Sequence, residues 1–231
     1  MSLGIIFKDF VALFFPNYCV ACIAPLAKGE KHICTKCVFE LPKTNYHLEK
    51  ENPISNRFYG KIEVKYVFSY LKFFKKGITQ KLLHKIKYEN QPEIAEMLGK
   101  WYGVDLKEIG MSDQFDLIVP VPLYKSKKRK RGYNQSDAIA KGLSESLGVP
   151  WSDRIVKRVV KSQTQAKKKD RLARWENVKN IFDVKNVEEV TGKRVLIVDD
   201  ILTSGATLEA CAIPFVKAGC EVSFMTLAVA Q

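Results

Sequence analysis

Thirteen consecutive residues, Val195-Leu-Ile-Val-Asp-Asp-Ile-Leu-Thr-Ser-Gly-Ala-Thr207, constrain this chain more than any other feature. Val195 to Val198 is an unbroken apolar run, the pattern of a strand covered on both faces in a parallel sheet. It delivers Asp199 and Asp200 to its carboxyl end, the edge at which open α/β sheets bind ligands. Thr203, Ser204, Gly205, Ala206 and Thr207 follow. They are small enough for a tight turn with exposed N–H groups, and the hydroxyls add donors. A helix expected over residues 208–218 contributes the positive end of its dipole. Such a turn cradles a monophosphate. The two carboxylates suit the vicinal hydroxyls of a ribose, which donate to carboxylate oxygens. Together these features point to a ribose 5-phosphate ligand rather than a bare anion.

Three other readings compete. A strand ending in two aspartates resembles the magnesium-binding strand of a P-loop ATPase, but the chain has no Gly-x-x-x-x-Gly-Lys-Ser/Thr loop. The acidic pocket of a phosphoreceiver domain lies on an early strand with most of the domain after it, whereas only 31 residues follow Asp200. The third is structural, an acidic strand end followed by a hydroxyl helix cap.

The rest of the chain reads as an α/β domain behind a small module. Residues 63–71 alternate and are rich in β-branched and aromatic side chains, the mark of a strand. Helical patterns cover residues 77–88 and 92–106, the second with Pro92 in its first turn. Further strands are expected over residues 115–121, 155–160, 194–199 and 221–229, and a helix over residues 135–147. That succession predicts a parallel sheet flanked by helices. The boundary between module and domain is placed at residues 52 and 53, giving units 1–52 and 53–231.

Two Cys-x-x-Cys pairs, Cys19/Cys22 and Cys34/Cys37, stand eleven residues apart. Each pair makes one tight turn, and two facing turns complete a four-thiolate shell for structural zinc. So small a module cannot bury enough apolar surface to fold alone, which makes the metal its source of stability. Cys211 and Cys220 read as buried thiols. The apolar opening, residues 3–18, has Lys8 and Asp9 in its middle. It lacks the marks of a signal peptide and is too short to span a bilayer, so it is expected to be an amphipathic helix in a cytoplasmic protein.

Thirty-eight Lys and Arg against twenty-five acids give a net charge of +13, which favours a polyanionic partner. Six basic residues lie in one run of seven, Lys125-Ser-Lys-Lys-Arg-Lys-Arg131. Lys130 and Arg131 are candidates to meet a pyrophosphate. Lys125, Lys127, Lys128 and Arg129, with Tyr133 beside them, are candidates for single-stranded nucleic acid, because aromatics next to a cationic groove stack on unpaired bases. A solvated basic loop would look the same. A second basic stretch, residues 157–174, carries Gln163, Thr164 and Gln165 and reads as a loop that closes over the ligand.

The thirteen-residue segment resembles the phosphoribosyl pyrophosphate (PRPP) motif of type I phosphoribosyltransferases. That resemblance implies that Asp199 and Asp200 bind the ribose hydroxyls and Thr203 to Thr207 the 5-phosphate, with magnesium accompanying PRPP. It implies the type I phosphoribosyltransferase fold, behind the small zinc-ribbon-like module that the four paired cysteines suggest. Val119-Pro-Val-Pro-Leu123, the basic run, Arg131-Gly-Tyr-Asn-Gln135, Gln165, Arg174, Asn177 and Phe182 resemble the signature of the ComF family of competence-associated proteins. This second resemblance implies a role in the uptake of transforming DNA, beside a helicase-like partner. One departure is local: Ile23 and Val38 stand where such zinc turns often carry Gly. No glutaminase domain accompanies the motif, so amide transfer does not follow, and the acceptor is not readable.

Overall fold

A computed structural model describes residues 16–49, 51–159 and 181–230. Most of the apolar opening lies outside the described residues, as do Gln163, Thr164, Gln165, Arg174 and Asn177. Within the described residues the strands are β1 (Val67–Phe73), β2 (Leu117–Pro120), β3 (Val156–Arg158), β4 (Phe182–Val184), β5 (Arg194–Leu202) and β6 (Glu221–Ala230). The helices are α1 (Thr35–Phe39), α2 (Ile78–Tyr88), α3 (Pro92–Glu108), α4 (Lys125–Arg131), α5 (Gln135–Leu147) and α6 (Ala206–Lys217).

Four strands form a parallel sheet in the order β1-β6-β5-β2. Alternation along β5 sorts the core into two layers, since successive side chains point to opposite faces. Leu196 and Val198 join Phe68, Tyr70, Leu82, Leu98, Ile139 and Leu143 on the α2, α3 and α5 side. Val195 and Ile197 join Val119, Phe224, Leu208, Cys211 and Phe215 on the α6 side. Helices on both faces explain why the strands read as apolar runs instead of alternating ones. α3 and α5 approach so closely that a Cβ at Gly142 would lie 2.0 Å from the Glu96 carbonyl oxygen. Gly142 is therefore a packing residue, which allows α5 to hold a fixed position under the ends of β2 and β5.

The cysteine module shares this core. Cys19, Ala21, Ile33, Cys37 and Leu41 belong to the same apolar cluster as Phe68, Tyr70 and Leu82. The connection beyond it is tied to the edge of β1: Thr44 N–H donates to the Tyr70 carbonyl at 2.9 Å, and Asn52 Nδ2 to that of Val67, also at 2.9 Å.

Three sequence expectations differ from the structure. The strand expected at 155–160 spans only Val156–Arg158 and pairs antiparallel with β4, a strand the sequence reading did not contain. These two form a separate ribbon, because Val156, Phe182 and Val184 cover the α6 layer without entering the main sheet. β5 continues three residues beyond Asp199, since Asp199, Ile201 and Leu202 still find partners in Thr226, Ala228 and Val229 of the long β6. The basic run Lys125–Arg131 is a helix, not an open loop, and it ends at Gly132 with φ 82°.

Candidate functional site

The parallel pairing of β2 with β5 sets the geometry of the carboxyl edge. Val121 N–H donates to the Val198 carbonyl at 2.8 Å, so the segment from Pro122 into α4 leaves the sheet beside Asp199 and Asp200. Asn134 fastens that segment from below. It is buried, and its Nδ2 donates to the Val121 carbonyl at 3.1 Å.

Both acids are held. Asp199 Oδ1 accepts from Ser136 Oγ at 3.2 Å and from the Asp200 N–H at 2.9 Å. The Asp199 carboxyl keeps some solvent contact but is densely surrounded by protein. That burial, and next the charge of Asp200, push its pKa up to about 7. Asp200 Oδ1 lies 3.0 Å from Nζ of Lys87, which reaches it from the last turn of α2. The remaining oxygen of each carboxylate has no hydrogen bond within the described residues.

The turn after β5 is tight and largely open to solvent. Gly205 sits at φ 84° as the N-cap of α6, a conformation that L side chains adopt only under strain. Thr203, Ser204, Ala206 and Thr207 around it are exposed. The Ala206 N–H donates to Ser204 Oγ at 3.4 Å and that of Glu209 to the Gly205 carbonyl at 2.9 Å, while those of Thr207 and Leu208 have no acceptor within the described residues, at the positive end of the helix dipole. Arg57 braces the turn from outside, its Nη1 donating to the Thr203 carbonyl and its Nη2 to that of Ala230 at 2.8 Å.

The basic candidates fall into two groups. Arg131 is half-buried, donates to Gln135 Oε1 at 2.8 Å, and lies over the Tyr88 ring with 5.7 Å to the centroid. Lys128 pairs with Asp137 at 3.5 Å. Lys125, Lys127, Arg129 and Lys130 are exposed. Lys125, Lys128 and Arg129, with Gly132, line a shallow cleft of about 380 Å³. Tyr133 is half-buried and its hydroxyl donates to the Ile86 carbonyl, so its ring serves packing. Tyr124 is the more exposed aromatic, with the Arg158 guanidinium 3.6 Å from its centroid.

The four paired cysteines converge as their spacing predicts. Their sulfurs all lie within 4.8 Å of one another, and Cys22 Sγ and Cys34 Sγ are 3.7 Å apart. A tetrahedral site with metal–sulfur bonds of about 2.3 Å requires sulfurs about 3.8 Å apart, so the shell fits a metal ion such as zinc. Burial alone would raise the Cys19 thiol, but N–H groups of Cys34, Cys22 and Ala21 donate to it and hold it at about 6. Burial raises Cys37. The departure at Ile23 has a visible consequence, since this β-branched residue is held at φ 66° and is 75% exposed. Val38 lies within α1.

Lys87, Arg57, Phe58 and Ser136 were not singled out by sequence reasoning. Ser136 adjoins the Arg131–Gln135 signature and carried that much of a signal. Lys87 stands in an amphipathic helix among other lysines, and nothing local marks it.

A parallel sheet with an acid pair on β5 and a hydroxyl-rich turn into α6 defines a phosphoribosyltransferase-type domain. The family model "Phosphoribosyl transferase domain" matches residues 132–229. Competence protein F of Haemophilus influenzae is 35% identical over 146 residues, 61% of this chain and 62% of that protein. DNA utilization protein YhgH of Escherichia coli K12 is 29% identical over 216 residues, 85% of this chain and 89% of that protein. Competence protein ComFC of Bacillus subtilis is 28% identical over 152 residues, 65% and 59% of the two chains. The match therefore spans less than two thirds of the competence proteins' own lengths. The glutamine PRPP amidotransferase of B. subtilis superposes with a TM-score of 0.44 at 19% identity, over 62% of this chain and 30% of that one. The chain is thus similar to competence and DNA utilization proteins and carries a phosphoribosyltransferase-type domain. No described helix is long and apolar enough to cross a membrane.

Proposed function

We propose that this protein binds PRPP, or another ribose 5-phosphate ligand, at the carboxyl edge of β5. Asp199 and Asp200 accept from the ribose hydroxyls, and Thr203, Ser204, Gly205, Ala206 and Thr207 hold the 5-phosphate. The observation that carries this reading is the joining of two features on one strand. Both acids keep an oxygen open, and five residues beyond Asp200 the chain turns at Gly205, φ 84°, into an anion cradle. The reaction such a site supports is displacement of pyrophosphate at ribose C1. The protein's part is to orient the sugar and to stabilise charge, with Lys130 and Arg131 beside the departing pyrophosphate. Magnesium bound with PRPP supplies further charge neutralisation there. Structural zinc at Cys19, Cys22, Cys34 and Cys37 completes the protein.

The names of its relatives support a role in competence and DNA utilisation, and the proposal extends, on the sequence resemblance alone, to a cytoplasmic protein working beside a helicase-like partner. The exposed cations of α4 support a second reading, in which single-stranded DNA binds at Lys125, Lys127, Lys128 and Arg129 while the pocket senses a ligand. Tyr124, more than Tyr133, has the exposure that stacking on a base needs.

Calorimetry with PRPP and magnesium, repeated with single-stranded DNA present, tests both readings. Asp200→Asn is expected to weaken PRPP binding by roughly 1.5–3 kcal/mol, the range for hydrogen bonds to a charged group. Unchanged affinity would remove the sugar-phosphate site. Replacing Lys125, Lys127 and Arg129 with Ala is expected to flatten the salt dependence of DNA binding by about two log units per log unit of salt, at about 0.7 counterions per neutralised phosphate. An identical slope in parent and variant would leave α4 a solvated basic helix.

A further inference from the structure

We infer that Lys87 is part of the sugar-phosphate site, the cation that lets a strand end bearing two carboxylates accept a polyanionic ligand. The inference rests on the proposed function and concerns the ligand class it selects.

An ordinary surface lysine pairs with an acid in open water. Lys87 does not, because its side chain is only 18% exposed and that of Asp200 only 14%. Removing both ions from water carries a desolvation penalty that their mutual attraction offsets incompletely, so such a pair is a poor stabilising device. Its place in the fold gives it another use. The end of α2 is tied to the segment that leads into α5 by two contacts, and the chain just beyond the helix comes close to it at a third point. Tyr133 donates to the Ile86 carbonyl, the Arg131 guanidinium lies over the Tyr88 ring, and Asn90 Oδ1 sits 3.1 Å from where a Cβ on Gly132 would be. These contacts hold Lys87 against Asp200 while Arg131 lies over the neighbouring residue, Tyr88.

Electrostatics then assigns the role. Two adjacent carboxylates repel a ligand that carries phosphate, and the repulsion grows with ligand charge. The Lys87 ammonium occupies only Oδ1 of Asp200, leaving the second oxygen for a ribose hydroxyl. It thus offsets the repulsion without blocking the acceptor. A ligand with both a 5-phosphate and a 1-pyrophosphate gains more from this cation than one with the 5-phosphate alone. The site therefore discriminates by anionic charge near C1, through a residue from a helix outside the motif.

Calorimetry on the full zinc-loaded chain, with PRPP plus magnesium and with ribose 5-phosphate as separate probes, tests this. Lys87→Met and Lys87→Gln are expected to weaken PRPP binding about tenfold or more and ribose 5-phosphate binding less than about threefold, where tenfold corresponds to about 1.4 kcal/mol. Lys87→Arg, which keeps the charge, is expected to restore most of the PRPP affinity. Thermal melting checks that each variant is folded, and the glutamine variant serves if the methionine variant is not. Equal losses for both ligands, or no loss in a folded variant, would overturn the assignment of Lys87. If the parent protein binds neither probe, it is the proposed function that fails, and this inference falls with it.

Discussion

The ring of Phe58 closes the Thr203–Thr207 turn from behind: its Cε1 lies 2.7 Å from the point where a Cβ on Gly205 would stand. Residue 205 is thus glycine for two independent reasons, its φ of 84° and the ring against it. Gly205→Ala is expected to destabilise the protein by roughly 2–4 kcal/mol, combining the left-handed penalty with overpacking. It is also expected to abolish 5-phosphate binding. A denaturant titration and a ligand titration check the two halves. A variant as stable as the parent would show that the turn relaxes at no cost.

The cysteine cluster and the core are coupled. Freshly reduced protein is expected to contain about one zinc per chain, and Cys34→Ser to lose it. Cys19 and Cys37 share an apolar cluster with Phe68 and Leu82 of β1 and α2. Chelation should therefore lower the melting temperature of the whole chain, not only melt a detached module. Elemental analysis with calorimetric melting decides this, and zinc-free native protein with an unchanged melting curve would end the claim.

Ile23 follows the second cysteine of the first pair at φ 66°, and its N–H donates to the Cys19 carbonyl at 2.8 Å. Glycine adopts that conformation without the steric penalty, and the exposed isoleucine side chain has little packing to lose. Ile23→Gly is expected to stabilise the metal-bound protein by about 1 kcal/mol. A lower melting temperature for the variant would mean that the isoleucine side chain contributes more than the strain removes.

The raised pKa of Asp199, about 7, gives a signed pH dependence. The folded protein holds this proton more tightly than the unfolded chain does. The resulting stabilisation is fully present below the ordinary carboxylate range and is lost as pH rises through about 7. Asp199→Asn is therefore expected to raise the melting temperature at pH 8 relative to the parent, and to do so less at pH 5. A gain that does not change with pH would place the Asp199 titration elsewhere.

Much of this was legible before the structure. The four-residue apolar run, the two acids and the small-residue turn are contiguous, so chain connectivity alone brings them together, and the acid pair and Gly205 lie on one strand-turn-helix unit. Cys-x-x-Cys spacing likewise dictates two metal turns by local geometry. Ile155 to Val160 was less informative, because a short β-branched run does not reveal which strand will pair with it. Its partner, Phe182–Val184, is only three residues long and more than twenty residues away.

What the sequence alone determined is the local chemistry: carboxylates before a small, hydroxyl-rich turn, four cysteines in two pairs, and a dense basic run. The tertiary structure decided which distant residues complete that chemistry. Lys87 meets Asp200, Arg57 and Phe58 brace the Thr203–Gly205 turn, and Ser136 reaches Asp199. These partners lie 63 to 147 residues away in the chain. Only the closing of the sheet and the packing of α2 and α5 across its carboxyl edge bring them within reach, and no local propensity encodes that distance.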